Sequence, residues 1–264
     1  MWQALASVAL DAPLIAGAWA WALAVAAGVP LNVPTLIGLL MAAWWVYAAD
    51  RLADVRHLTG PAGPRHRTLG AHPRVTTALL TAAALVLAGL AFLVPRSALL
   101  LAAGIAALGA VGWWLGRTGV NARQADVRAA LLAGGFALAA WLPGGLSANL
   151  PVAEVALTLL PWTVVLWFNV RLTEWWERHE DDGRPAAAAP PAGVQRGGLL
   201  TAGVLLAGWA AAGTVGSAQA LAALPAWWVH WQLSGHAATG SSKRGLADAA
   251  LLLPAVILVI LHTI

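Results

Sequence analysis

Two stretches of the chain place carboxylates at helical spacing. The first, WWVYAADRLADVRHLTGPAGPRHR over 44–67, carries Asp50 and Asp54 four residues apart, with His57 one turn further on. The second, WFNVRLTEWWERHEDDGR over 167–184, carries Glu174, Glu177 and Asp181 at i, i+3 and i+7. On a helix each set lies along one face, and like charges that close weaken the helix unless something neutralises them. Carboxylate oxygens arranged this way suit a hard cation such as Mg²⁺, which takes a few carboxylates, keeps several waters and adds a substrate phosphate. Asp50, Asp54, Glu174, Glu177 and Asp181 are therefore candidate metal ligands. The competing reading pairs them with the arginines alongside, Arg51, Arg56, Arg171 and Arg178, with Glu174 and Arg178 in the favourable order. Isolated rim salt bridges of that kind contribute little. That two clusters stand at matched positions favours the metal.

The elements holding these acids are apolar and long. Of 264 residues, 60% are hydrophobic and 10% charged, against roughly 25% charged in ordinary soluble domains. Acids at the ends of such runs are costly and call for a reason. The chain has no cysteine, which removes disulfide frameworks and thiolate metal sites. The first residues, MWQALASVALDAPLIAG, have no basic start and carry Asp11 within the apolar run, so they do not read as a cleaved signal peptide. No basic surface free of apolar sequence is long enough to follow a nucleic-acid backbone, so nucleic acid is not an expected partner; the lipid bilayer is.

With roughly 20 apolar residues per crossing, the chain divides into about nine spans: 5–28, 34–57, 75–94, 97–116, 127–147, 152–178, 197–215, 217–234 and 247–263. Turn signals separate them at Gly28-Val29-Pro30 with Pro34, at Pro95, at Pro143-Gly144-Gly145 with Pro151, and at 213–217 and 235–245. Every lysine and arginine except Arg96 then falls on one side. The positive-inside rule makes that side the cytoplasm, together with the N-terminus and both acid clusters. The expectation is an all-α, polytopic membrane helical bundle, a single integral membrane domain over 1–264, in a bacterial inner membrane. Loops such as PAAAAPPAG at 185–193 read as linkers. Most tryptophans near span ends read as an interfacial belt. Trp44, Trp45, Trp175 and Trp176 adjoin the acids and have the further reading of an aromatic wall. His230 and His236 have no acid within sequence reach and read as interfacial.

The paired acid clusters after spans two and six resemble those of the UbiA superfamily of intramembrane prenyltransferases. The first motif of that family runs N-D-x-x-D-x-x-x-D. Asp50 and Asp54 match its last two acids, while Val46 and Tyr47 stand where the family has Asn and Asp. The second cluster, Glu174-x-x-Glu177-x-x-x-Asp181, keeps an acid at each spacing. The resemblance implies nine helices around a central cavity open to the cytoplasm. It implies Mg²⁺-assisted transfer of a polyprenyl group from its diphosphate to an unidentified small-molecule acceptor, often aromatic. Asp50, Asp54, Glu177 and Asp181 would be the catalytic acids, with Arg65 and Arg67 on the diphosphate oxygens. Asp11, Tyr47, Asn169 and Trp176 would line the substrate cavity, Tyr47 and Trp176 offering ring faces to an allylic cation. Asp11 alternatively orients an arginine or reaches the interface, and Asn169 alternatively bonds a neighbouring helix. The alternatives in function are a catalytically inactive lipid-binding relative and a secondary transporter.

Overall fold

The computed structural model describes residues 5, 7–55, 69, 71–117, 122–148, 150–181, 202–210, 213, 216–234 and 241–263. Helices account for nearly all of these, and no strand occurs among them. In chain order they are α1 (Asp11–Ala27), α2 (Val33–Val55), α3 (Pro73–Leu90), α4 (Arg96–Arg117), α5 (Ala122–Gly145), α6 (Val152–Asp181), α7 (Ser217–Ser234), α8 (Ser241–Ala250) and α9 (Leu253–Thr263). A helical stretch over 202–210 lies within the expected seventh span. Among the described residues, six segments are long and apolar enough to cross a membrane: Val33–Ala53, Pro73–Leu90, Arg96–Trp114, Ala125–Gly145, Val152–Thr173 and Gly245–Thr263. The all-helical class expected from composition is thus the observed one, and the apolar helices are those of an integral membrane protein.

Helix boundaries follow local chemistry. Gly28 ends α1 in the left-handed region (φ 64°), and its N–H reaches back to the carbonyls of Ala24 and Val25, a conformation that costs a glycine little. Asn32 starts α2: its side-chain oxygen accepts from the Thr35 N–H at 3.0 Å and the Thr35 hydroxyl at 2.7 Å, satisfying donors that a helix start leaves open. The Asn32 N–H in turn donates to the Pro143 carbonyl at 2.6 Å, which ties this turn to the end of α5. The first span is shorter than expected. α1 begins at Asp11, after a turn in which Ala9 takes φ 61°.

The expected ninth span is not one continuous helix. It breaks after Ala250 and resumes at Leu253. Pro254 explains the break, because its ring has no N–H to give and crowds the carbonyl four residues back, that of Ala250. Tight-turn bonds replace the helical ladder: Leu251 N–H to Asp248 O at 3.2 Å and Leu252 N–H to Ala249 O at 3.0 Å. The carbonyl of Leu251 is taken by the buried indole N–H of Trp19 at 2.7 Å. Irregular backbone within a bilayer is tolerated where protein supplies the missing partners, and Trp19 does so here.

Helices α1, α5, α6, α7 and α9 pack in a closed circuit, each against the next and α9 back on α1. Their facing side chains form one buried cluster, including Trp19, Ala137, Trp162, Ala223 and Leu258. Trp19 meets Trp162 edge-to-face with ring centres 4.6 Å apart and Phe136 at 5.6 Å, a favoured aromatic geometry. Small residues set the helix spacing: Ala129, Ala133 and Ala137 repeat every fourth residue along α5, all buried. Gly144 lies so near α1 that a Cβ there would stand 2.9 Å from the Ala24 Cβ. Such small-residue contacts are how helices associate where lipid removes the hydrophobic drive. α2 packs on α1, α3 and α5, and α4 on α5, so α3 and α4 keep broad apolar faces outward. Leu85 is 70% exposed and Leu100 75%, faces that fit lipid and not water.

Candidate functional site

The first acid cluster sits at the C-terminal end of α2, and the helix turns its two faces to different surroundings. Ala48, Arg51 and Leu52 are buried, whereas Val46, Tyr47 and Asp50 are exposed. Val46, Tyr47 and Asp50 therefore share the outward face, as their spacing requires. Arg51 points inward and pairs with Asp11 of α1. One guanidinium nitrogen lies 3.5 Å from both carboxylate oxygens, and both side chains are buried. The same guanidinium lies 5.7 Å from the centre of the Tyr47 ring, within cation–π range. One face of Tyr47 is thus already held by a cation, which makes it a poor second host for an allylic cation. Trp44 and Trp45 anchor the helix by donating to the carbonyls of Val8 at 3.1 Å and Leu80 at 3.0 Å.

The second cluster closes α6. Arg171, a sequence candidate to pair with the acids of this cluster, reaches α5 and bonds Asp126 at 2.9 Å. Trp167 donates to the backbone carbonyl of the same Asp126 at 3.2 Å. Trp176 is 2% exposed, packed with Leu172, Leu233 and Ala247, and its indole N–H has no hydrogen-bond partner among the described residues. Asn169, two turns earlier, is buried with its amide engaged at both ends. Nδ2 donates to Asp248 Oδ1 of α8 at 3.2 Å, and Oδ1 faces His230 Nε2 of α7 at 2.9 Å. The His230 Nδ1–H donates to the Ala226 carbonyl at 2.6 Å.

His230 is accordingly not interfacial. It is 1% exposed and linked through Asn169 to a carboxylate. Sequence reasoning missed this because the partners lie 61 and 79 residues away along the chain. One signal was visible: Asp248 is an acid inside the apolar run that closes the chain. His236 lies outside the described residues.

The contacts of Asp11, Tyr47, Asn169 and Trp176 fall in two places. Asp11 and Tyr47 meet through Arg51 at the α1–α2 contact, while Asn169 and Trp176 face α7 and α8. α5 packs against both α2 and α6, which share at most a marginal contact with each other. The side chains of Asp54, Glu174, Glu177 and Asp181, and all of Arg65 and Arg67, lie outside the described residues. Among the described residues no group of three or more acids and histidines stands ready to hold a metal. Of the five candidate ligands only Asp50 has its side chain described, exposed on α2.

Comparison with protein-family models, with curated proteins and with solved structures finds no match for this chain.

Proposed function

We propose that the protein is a membrane prenyltransferase of UbiA type, moving a polyprenyl group from its diphosphate to a small acceptor at the cytoplasmic rim of about nine spans. What supports the reading is where the acids stand: Asp50 lies near the C-terminal end of the apolar helix α2 on its exposed face, and Glu174, Glu177 and Asp181 fall in the last turns of the long helix α6. Two acid clusters at helical spacing, each ending a long apolar helix, are costly without a ligand to serve.

The donor chemistry fits Mg²⁺: an all-oxygen carboxylate set with neither thiolate nor imidazole required. Asp50, Asp54, Glu174, Glu177 and Asp181 would hold it, and when bound it would neutralise charge on the departing diphosphate. Arg65 and Arg67 would add charge-assisted hydrogen bonds to the phosphate oxygens. The prenyl tail would lie along apolar helix surface in contact with lipid. Trp176, whose indole N–H has no partner among the described residues, remains the aromatic candidate beside the second cluster; Tyr47 serves Arg51 instead.

The test uses full-length protein in nanodiscs with Mg²⁺, a prenyl diphosphate and a panel of aromatic acceptors, reading diphosphate release and prenylated product. Asp54→Asn and Asp181→Asn are each expected to cut turnover by roughly 100-fold or more, the scale seen when electrostatic stabilisation of a leaving group is removed, and a chelator should abolish it. Undiminished turnover in both variants would remove the metal role.

A second reading, secondary transport, is favoured by one observation. The Gly245–Thr263 segment is interrupted at the level of a buried acid, Asp248, as in transporters built on discontinuous helices. Substrate-independent proton movement in proteoliposomes, with no diphosphate release, would support it over the enzyme.

A further inference from the structure

The contacts of His230, Asn169 and Asp248 impose a proton count. A backbone carbonyl only accepts, so the 2.6 Å contact with Ala226 requires a proton on Nδ1. The other ring nitrogen, Nε2, faces the amide of Asn169 at 2.9 Å, and the far end of that amide faces Asp248 Oδ1 at 3.2 Å. An amide has one accepting and one donating end, and the two orientations have nearly the same shape. With the oxygen toward His230, Nε2 must carry a proton, so the ring is a cation and Asp248 a carboxylate. With the nitrogen toward His230, the ring is neutral, and the amide oxygen meets Asp248, which must then carry the proton. Over these three side chains the two arrangements hold the same number of protons and the same net charge. Passing between them moves one proton from ring to carboxyl as the amide turns over.

Removing that proton leaves a neutral ring beside an ionised acid. One of the three contacts then sets acceptor against acceptor in a buried site, where an unmade hydrogen bond costs about 1–3 kcal/mol. We propose that His230, Asn169 and Asp248 form a buried proton-binding site, carrying one shared proton at the break between α8 and α9. The inference depends on neither functional reading above. Its position is suggestive: Asp248 supplies the backbone carbonyl that closes the tight turn at the break, accepting from Leu251 N–H. The site that holds the proton and the irregular turn thus share a residue.

Among the described residues, Arg171 of α6 bonds Asp126, Glu154 lies at the opposite end of α6, and His262 near the end of α9 donates to the Leu258 carbonyl. Ser234 of α7 donates to Trp231 O. The side chains of Lys243 and Arg244 of α8, and of Glu174, Glu177, Arg178, His179, Glu180 and Asp181 of α6, lie outside the described residues.

The test is made at pH 8, where a free imidazole is neutral and a free Asp is ionised, their ordinary values being about 6.5 and 3.9. Full-length protein in nanodiscs, labelled with ¹⁵N-histidine, reports ring protonation, and infrared spectroscopy reports a protonated carboxyl. His230→Gln assigns the ring signal and Asp248→Asn the carboxyl band. The expected result is one of two: both nitrogens of His230 protonated, or a neutral His230 ring together with a carboxylic-acid band that vanishes in Asp248→Asn. In Asp248→Asn, whose amide completes the chain without an added proton, His230 is expected to be a neutral Nδ1–H ring in a folded protein. A neutral His230 with no protonated carboxyl in the wild-type protein would overturn the proposal. So would an unchanged doubly protonated ring in Asp248→Asn.

Discussion

Arg51 shows how a single side chain reorganises a reading made from spacing. In sequence it stands next to Asp50; in space it also reaches Asp11 and Tyr47. A buried pair of this kind is weak evidence for net stability, but breaking it leaves an uncompensated charge. Asp11→Ala is therefore expected to destabilise the protein by about 3 kcal/mol in reversible unfolding from mixed micelles. The joint change Asp11→Leu with Arg51→Met should recover most of that loss. If the double variant is no better than the single one, the pair is holding something other than each other. The spacing of acids was legible without coordinates. The choice of partner was not, because Asp11 and Asp126 come from other helices and nothing local marks them.

At the level of elements, two small features fix how helices meet. Gly144 lets α5 approach α1 at the turn that Asn32 ties to Pro143. Gly144→Val should force the two helices apart and cost about 1–3 kcal/mol, the usual range for overpacking, whereas glycines with open surroundings such as Gly38 and Gly104 should accept alanine without loss. Trp19 completes the backbone of the α8–α9 break. Trp19→Phe keeps an aromatic ring but strands the Leu251 carbonyl, an expected loss of about 1–3 kcal/mol with faster amide exchange confined to 249–253. Helix edges set by Gly28, Asn32 and Pro73 could be read directly from residue chemistry. The break in the final span could not: Pro254 is plain in the sequence, yet a proline can also be carried through a helix, as Pro161 is in α6. Only Trp19 supplying a partner makes a full interruption tolerable, and Trp19 lies 232 residues away.

For the whole molecule, composition was a sufficient guide to class, because an apolar excess of this size has no home in water. The absence of cysteine makes orientation directly testable. Single substitutions Gly63→Cys and Gly193→Cys are expected to react with a membrane-impermeant thiol reagent from the cytoplasmic side, and Phe92→Cys, 91% exposed between α3 and α4, from the other. Labelling of all three from one side would overturn the alternation inferred from the arginines. How the two acid clusters relate in space was beyond the reach of sequence. α5 stands against both their helices, so their relation depends on the packing of α5 and not on either motif.

The bond from the Trp19 indole to Leu251 has a consequence for biogenesis. A ribosome delivers α1 before α9, so this indole can meet the Leu251 carbonyl only after more than two hundred further residues are made. Nascent chains stopped before Leu251 should therefore remain loosely assembled at this contact, exposed to whatever quality control patrols the membrane.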